Sequence, residues 1–266
     1  MVSEFVRIHW RGRPVRIEHA WLEPLRQQAP LMVFLHEGLG SLAMWRDFPQ
    51  RLCAALDCRG LVYSRPGYGR STPRAAQEAW GLDFMHRQAH EVLPALLQAL
   101  HIDSVHDKPW LFGHSDGGSI ALLFAARFDP IAIAIMAPHV FVEDVTIAGI
   151  VQARAAWDEG KLKDPLARVH DDPDGAFFGW NDGWLNPAFR LWNIEAELPK
   201  IRCPVLAIQG YDDQYGTMQQ LDRIARGAPG RTTLLKLEKC GHAPQRDQPE
   251  AVIEAIGALF EQVSAK

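Results

Sequence analysis

A single serine lies between two glycines at the point where one apolar run ends and another begins. Gly113, Ser115 and Gly117 form the pattern G-x-S-x-G, with the run PWLF before it and SIALLFAARF after it. A strand that turns sharply into a helix strains its backbone and crowds its neighbours, so small residues are needed there. Such a turn presents the serine hydroxyl at the edge of a sheet, as a nucleophile requires. A tight structural turn without chemistry is the alternative interpretation.

A serine hydroxyl becomes a strong nucleophile only when a base removes its proton and an acid orients that base. His242 follows the last strand-like run and is the best placed of the eleven histidines. Asp212 and Asp213 follow the strand-like run PVLAIQG. We predict a catalytic triad of Ser115, His242 and Asp213, with Asp212 as the alternative acid.

Attack on a carbonyl group also requires N–H donors for the negative oxygen that forms. The glycine-rich segment HEGLGS follows the third strand-like run and can supply one donor. Gly38 is the first choice and Leu39 the second, whereas His36 in the same segment is interpreted as a structural hydrogen-bonding residue. The backbone N–H of Asp116, directly after the serine, is the predicted second donor.

The elements that would position these residues alternate between strand and helix patterns. Two early runs, EFVRIHW and PVRIEHAWL, predict an antiparallel hairpin. Five later runs are typical of strands buried in a parallel sheet, namely LMVFLHEG, GLVYSRPG, PWLFGHS, IAIAIMAP and PVLAIQGYDD. RTTLLKLEKC is the last predicted strand. Leucines from Leu93 to Leu100 have helical spacing, although Pro94 must kink or restart that helix. A further apolar helix follows Pro249.

One segment interrupts this alternation. Residues 141–200 show no strand pattern and contain four tryptophans, Trp157, Trp180, Trp184 and Trp192. We predict a helical lid there, inserted into a core domain formed by residues 1–140 and 201–266. A lid rich in tryptophan predicts a mostly apolar pocket for a small acyl or aryl group. The alternative is a plain helical excursion of the core.

Composition limits the classes of protein that the chain can belong to. The 266 residues are 47% hydrophobic and 23% charged, which is enough for one large α/β domain. A net charge of -4 gives no basic patch for nucleic acid or a membrane surface. The longest apolar run, residues 131–137, is far shorter than the roughly 20 residues of a membrane span. The expected partner is a small-molecule substrate, and a homo-oligomer is left open.

The first residues lack the apolar segment of a signal peptide. The four cysteines, Cys53, Cys58, Cys203 and Cys240, fit neither a disulfide framework nor a zinc spacing. A cytoplasmic protein is therefore expected. His170, Asp171 and Asp172 are adjacent in the chain but show no further ligand pattern, so no metal site is predicted.

Five segments together resemble the α/β-hydrolase family. They are HEGLGS at 36–41, SRPGYGRS at 64–71, GHSDGG at 113–118, GYDD at 210–213 and CGH at 240–242, and they come in the family's order Ser, Asp, His. The resemblance covers nearly the whole chain. It implies a central eight-stranded sheet that is mostly parallel with strand 2 antiparallel, helices on both faces, a helical cap after strand 6, and no cofactor.

The chain departs from this family at one position. Many members have glycine after the loop histidine, whereas this chain has Glu37 after His36. The departure adds an acidic side chain near the expected pocket.

The expected chemistry is attack of Ser115 on a carbonyl carbon, followed by hydrolysis of the acyl-enzyme. Esters are the first expectation, followed by thioesters or activated amides. The same triad also serves carbon-carbon bond hydrolases of vinylogous diketones, aminopeptidases and amino-ester hydrolases. A catalytically silent ligand receptor is the non-enzyme alternative. The predicted pocket residues are Glu37, Leu39, His139 and Trp184.

Four acidic residues lie near the expected mouth of the pocket, Glu37, Asp116, Glu143 and Asp144. One hypothesis is that one of them binds an ammonium group of the substrate. The alternative is that Asp116 stabilises the first turn of its helix and that the other three are solvated.

Overall fold

Eight strands form one sheet in the computed structural model, which describes residues 1–22, 29–75, 78–103 and 106–264. The strand order is β1-β2-β4-β3-β5-β6-β7-β8. The strands are β1 (Glu4–Trp10), β2 (Arg13–Leu22), β3 (Leu31–Leu35), β4 (Arg59–Tyr63), β5 (Trp110–His114), β6 (Ile133–Met136), β7 (Val205–Gly210) and β8 (Thr232–Leu237). β2 is antiparallel to β1 and β4, and the remaining pairs are parallel. The predicted sheet, including its antiparallel second strand, is confirmed.

Helices cover both faces of this sheet. They are α1 (Phe48–Leu56), α2 (Phe84–Arg87), α3 (Leu93–Ala99), α4 (Asp116–Arg127), α5 (Asp144–Asp158), α6 (Lys163–Ala167), α7 (Pro173–Leu185), α8 (Gln219–Gly227), α9 (Pro244–Asp247) and α10 (Pro249–Ser264). Within the described ranges, no helix combines the length and the apolar character that crossing a bilayer requires.

The strand β3 shows why the central runs are apolar throughout. Met32 and Phe34 pack into one core cluster together with residues of α1 and α10. Val33 and Leu35 pack into the other cluster, which contains residues of α3 and α4. Because alternate side chains of a strand point to opposite faces, a strand covered on both faces needs apolar residues at every position.

The helix around Pro94 restarts as the sequence predicts. A wide π-helical turn (Gln88–Val92) connects α2 to α3, and the Leu93 N–H donates to the Gln88 carbonyl across it. Pro94 directly follows this turn, in a run whose backbone stays αR at Val92 and Leu93. The wider turn relieves the contact between the proline ring and the preceding turn that a regular α-helix would impose.

The segment between β6 and β7 is helical, as predicted. It contains α5, α6, α7 and two 3-10 helices (Pro187–Leu191 and Glu195–Lys200). An isolated bridge between Phe141 and Asn193 joins its two ends. Trp157 stacks on Phe177 with ring centroids 4.2 Å apart, which ties α5 to α7. The division of the chain into a core and a separate cap stays a prediction.

Candidate active site

Ser115 lies at the turn between β5 and α4, in a backbone conformation that most residues avoid. Its φ is 53° and its ψ is −118°, and its N–H donates to the Met136 carbonyl over 2.8 Å. The flanking glycines are required by close contacts. A Cβ on Gly117 would collide with the Leu35 carbonyl oxygen, and one on Gly113 would collide with the Gly117 carbonyl oxygen. The glycines therefore let the elbow pack against the sheet.

His242 and Asp213 meet at the carboxyl edge of the sheet. His242 Nδ1 lies 2.8 Å from Asp213 Oδ1. The same carboxylate also accepts hydrogen bonds from the Tyr215 N–H at 2.8 Å and from Gln209 Nε2 at 3.2 Å. Burial opposes ionisation of Asp213, but the hydrogen bonds from His242 and Tyr215 outweigh it and lower its pKa. Asp212, the alternative acid, is exposed.

Ser115 and His242 line the same cavity, which has a volume of about 140 Å³. The six residues predicted to surround the reacting group also line it, namely Glu37, Gly38, Leu39, Asp116, His139 and Trp184. No hydrogen bond within the described residues uses His242 Nε2. That ring nitrogen is therefore free for the serine hydroxyl.

His114 fixes the loop that carries His242, a role that the sequence analysis missed. Its Nε2–H donates to the His242 carbonyl over 2.6 Å, and its Nδ1 lies 3.2 Å from Gln245 Nε2. The side chain is only 1% exposed. Since His114 directly precedes Ser115, this hydrogen bond joins the nucleophile strand to the loop of the candidate base. Its position inside the GHSDG segment is the signal that could have identified it.

The HEGLGS segment forms a tight turn next to the cavity. The Gly40 N–H donates to the Glu37 carbonyl over 3.0 Å, which leaves Gly38 and Leu39 as the central residues of the turn. No backbone hydrogen bond within the described part of the chain uses the N–H of either central residue. The Trp180 indole packs so closely against Gly38 that a Cβ there would collide with it.

A buried arginine connects this turn to the elbow. Arg65 is 1% exposed, and its Nη2 donates to the Glu37 carbonyl over 2.7 Å. Its Nη1 lies 3.8 Å from Asp116 Oδ2, and its guanidinium lies over the ring of Tyr68. The cation therefore holds together the two segments that contain the candidate oxyanion donors. No role for Arg65 was predicted from the sequence.

His36 has the structural role that its sequence interpretation gave it. Its Nδ1–H donates to the Glu37 carbonyl over 2.7 Å, and its Nε2 accepts from the Arg65 N–H over 3.0 Å. Burial, followed by the charge of Arg65, lowers the pKa of His36 well below 6.5. The ring is therefore neutral at physiological pH.

Trp184 on α7 contacts two other cavity residues. Its Nε1–H donates to Asp116 Oδ1 over 3.2 Å, and its ring lies edge-on to His139 with centroids 5.1 Å apart. Burial lowers the pKa of His139 to about 3. The His139 ring is thus a neutral wall of the cavity, and its centroid is 6.2 Å from that of His242.

Ser119 connects α4 to the segment that follows β6. Its Oγ donates to the His139 carbonyl over 2.6 Å and accepts from the His139 N–H over 3.0 Å. Its contact with the Ser115 carbonyl is longer, at 3.5 Å. Close packing of α4 against the end of β6 makes the inter-element partner the better one.

The four acidic residues near the expected mouth fall into two groups. Glu37 and Asp116 line the cavity. Glu143 instead accepts hydrogen bonds from the backbone N–H and the hydroxyl of Thr217, and Asp144 is exposed. Only the first two can therefore meet a substrate.

His170 supports the HEGLGS turn from outside the cavity. Its Nδ1 accepts from the Gly69 N–H over 2.8 Å, and its Nε2–H donates to the Leu39 carbonyl over 2.9 Å. Both ring nitrogens therefore have protein partners. Within the described residues, no group of three or more His, Cys, Asp or Glu side chains could hold a metal ion.

Comparison with known proteins agrees with this architecture. Residues 32–255 match the model of the alpha/beta hydrolase family. The chain belongs to that family and is a hydrolase.

Relatives with assigned names are distant. A Pseudomonas savastanoi pv. phaseolicola protein named as a carbamate hydrolase, RutD, is 28% identical over 254 residues, covering 83% of this chain and 90% of that protein. The 2-succinyl-6-hydroxy-2,4-cyclohexadiene-1-carboxylate synthase of Klebsiella pneumoniae is 27% identical over 256 residues, covering 87% and 94%. A thermophilic esterase from Thermogutta terrifontis has a similar fold, with a TM-score of 0.74, 16% identity and 99% of each chain covered.

Proposed function

We propose that this protein is a serine hydrolase that cleaves a small carboxylic ester through an acyl-enzyme intermediate. One observation carries the proposal: the carboxylate of Asp213 bonds the imidazole of His242 at 2.8 Å, and that imidazole shares a cavity with Ser115 on its strained turn. A nucleophile, a base and an orienting acid are the three groups that acyl transfer requires.

In the proposed mechanism, His242 Nε2 takes the proton of Ser115 as the hydroxyl attacks the ester carbonyl. Asp213 holds the Nδ1–H of the ring and stabilises the imidazolium that forms. The imidazolium then gives its proton to the leaving alcohol. A water molecule, activated by the same imidazole, releases the acid from Ser115.

The backbone N–H groups of Gly38 and Asp116 are the proposed oxyanion donors, with Leu39 as the alternative to Gly38. The turn at residues 37–40 leaves the N–H of Gly38 and Leu39 without backbone partners in the described structure. Asp116 is the first residue of α4, where the N–H has no partner within the helix and the helix dipole favours negative charge.

Residues 141–200 are proposed to act as a cap over this cavity, on a core formed by residues 1–140 and 201–266. Thr146, Ile150, Trp180 and Trp184 of that segment line the cavity. Its volume of about 140 Å³ favours a small substrate. All four cysteines are buried, as small apolar residues are, which supports the proposal of a reducing, cytoplasmic location.

The experiment that tests this function measures hydrolysis of p-nitrophenyl esters of increasing acyl length by the wild type and by Ser115→Ala. We expect turnover of short-chain esters with an initial burst, and loss of that turnover in the variant. A carbamate and a vinylogous diketone, assayed in parallel, test the bond specificity. Turnover that survives in Ser115→Ala would refute the mechanism, and cleavage of the diketone alone would replace the esterase assignment with a carbon-carbon hydrolase.

A further inference from the structure

The wall of the cavity combines acidic and aromatic side chains. Glu37 and Asp116 supply two carboxylates, and Trp180, Trp184 and Tyr215 supply aromatic rings. Aromatic faces attract cations through their quadrupole, and carboxylates attract them directly. This combination is the environment in which proteins recognise ammonium groups.

The carboxylate of Glu37 lacks a strong cationic partner. Burial opposes its ionisation, but the neighbouring His114 ring lowers its pKa below the usual range. Its contact with His114 Nδ1 is 3.5 Å, longer than a normal hydrogen bond. No lysine or arginine within the described residues pairs with this carboxylate, because Arg65 bonds the Glu37 carbonyl instead.

Asp116 adds a second acidic group with an unused oxygen. Its Oδ1 accepts from the Trp184 indole, but its Oδ2 has no hydrogen-bond partner within the described structure. The nearest cation, Arg65 Nη1, is 3.8 Å away. The residue is 1% exposed, so water does not satisfy that oxygen from the surface. Burial raises the pKa of Asp116, and a buried acceptor without a partner is unfavourable unless the carboxyl group is protonated or a ligand supplies a donor.

These charges bear on the reaction itself. An ionised carboxylate next to the oxyanion donors disfavours the negative oxygen that develops during attack, because like charges repel strongly in a site of low dielectric constant. A positive charge on the substrate would offset that repulsion. The remaining charged residue of the cavity wall, Arg246, is exposed and therefore screened by solvent.

We propose that the substrate is a small ester that carries an ammonium group, with Glu37 as the main recognition residue and Trp180 and Trp184 as aromatic walls. This inference rests on the proposed function and adds the substrate class. It also assigns a role to the position at which the chain departs from its family, since glycine there could not bind a cation.

The test compares esters that differ only in charge. Methyl β-alaninate, with its charge in the acyl part, is paired with neutral methyl butanoate. Acetylcholine, with its charge in the alcohol part, is paired with neutral 3,3-dimethylbutyl acetate. The readout is the ratio of kcat/KM for the charged ester to that for its neutral partner. We expect a ratio of about 10 or more in at least one pair, as one favourable ionic contact would give.

Substitutions of Glu37 test whether this residue causes the preference for the charged ester. Glu37→Gln is expected to lower the ratio about tenfold, and Glu37→Asp to lower it less. Asp212→Asn is the matched control, because it removes an exposed carboxylate from the same edge of the sheet. It is expected to leave the ratio unchanged.

Hydrolysis of the neutral esters with no preference for either charged ester would overturn the inference while leaving the hydrolase function intact. A preference that persists in Glu37→Gln would overturn the role of Glu37. If no ester is hydrolysed, the proposed function fails, and calorimetric titration with choline then decides the inference alone. Choline binding that is lost in Glu37→Gln supports it, and absence of binding to the wild type overturns it.

Discussion

Two carboxylate–imidazole pairs lie at the same edge of the sheet, and they are built differently. Asp213 Oδ1 lies 2.8 Å from His242 Nδ1, whereas Glu37 Oε2 lies 3.5 Å from His114 Nδ1. Both ring nitrogens of His114 have protein partners, and no described residue bonds His242 Nε2. In the proposed mechanism, only the first pair is therefore arranged to accept a proton from Ser115.

The two histidines therefore have different proposed roles: His242 transfers protons, and His114 positions the loop of His242. A histidine that transfers protons needs one nitrogen held by an acid and the other directed at the reacting group. The His242 side chain is 14% exposed and lines the cavity, while that of His114 is 1% exposed. His114 anchors the loop of His242, and its acid, Glu37, stays available to the cavity.

The largest effect is expected from replacing the two histidines by glutamine. His242→Gln removes the proposed base and should lower kcat/KM for a p-nitrophenyl ester by about 10⁵-fold. His114→Gln keeps a donor for the His242 carbonyl and should lower it by less than about tenfold. Steady-state kinetics measure both. Equal losses in the two variants would show that the pairs do not differ in function.

The two neighbouring aspartates provide the next test. Asp213→Asn keeps the shape of the side chain but favours the wrong tautomer of His242, and kcat should fall by about 10⁴-fold. Asp212→Asn changes an exposed side chain, and its kcat should stay within about twofold of the wild type. A large loss in Asp212→Asn would reassign the orienting acid.

Replacing Arg65 tests its buried hydrogen bond to the Glu37 carbonyl and its contact with the Asp116 carboxylate. Arg65→Met leaves the Glu37 carbonyl without its donor and Asp116 without its nearby cation, so the free energy of unfolding should fall by about 3–5 kcal/mol. Urea denaturation measures this loss. Arg168→Met, at an exposed site, should change it by at most about 0.5 kcal/mol. A loss in Arg65→Met no larger than this control would contradict the structural role.

The smallest effect concerns the buried neutral histidines His36 and His139. Burial lowers the pKa values of His36 and His139 in the folded state. The unfolded chain therefore binds protons first, and stability should fall as the pH drops below about 6.5. Each ring contributes up to about 1.4 kcal/mol per pH unit. Urea denaturation at pH 7, 6 and 5 measures the slope.

His139→Gln provides the control for this pH dependence. In that variant, the slope of the free energy of unfolding against pH should decrease by the share that the His139 ring contributes. An unchanged slope would mean that the His139 ring takes up its proton equally in both states.

Local patterns in the sequence predicted most of the sheet and the positions of the main site residues. Parallel strands end at one edge, so residues that follow such runs, including Ser115, Asp213 and His242, had to lie near one another. The turn at Ser115 could be anticipated because only glycine fits at Gly113 and Gly117.

Contacts between segments distant in the sequence could not be predicted. Arg65 bonds the carbonyl of Glu37, and the hydroxyl of Ser119 bonds the backbone of His139. Neither partner follows from periodicity or from local spacing. The tryptophans of the 141–200 segment predicted an apolar pocket, but the Trp184 N–H bonds a buried carboxylate. The cavity wall is consequently more acidic than the composition of that segment indicates.

Covalent labelling with a fluorophosphonate, followed by intact-protein mass spectrometry, tests whether Ser115 is an activated nucleophile. We expect one phosphonyl group per chain, located on Ser115 by peptide mapping, and strongly slowed labelling in His242→Gln. Labelling of wild-type protein at another residue, or no labelling at all, would contradict the assignment of Ser115 as the nucleophile.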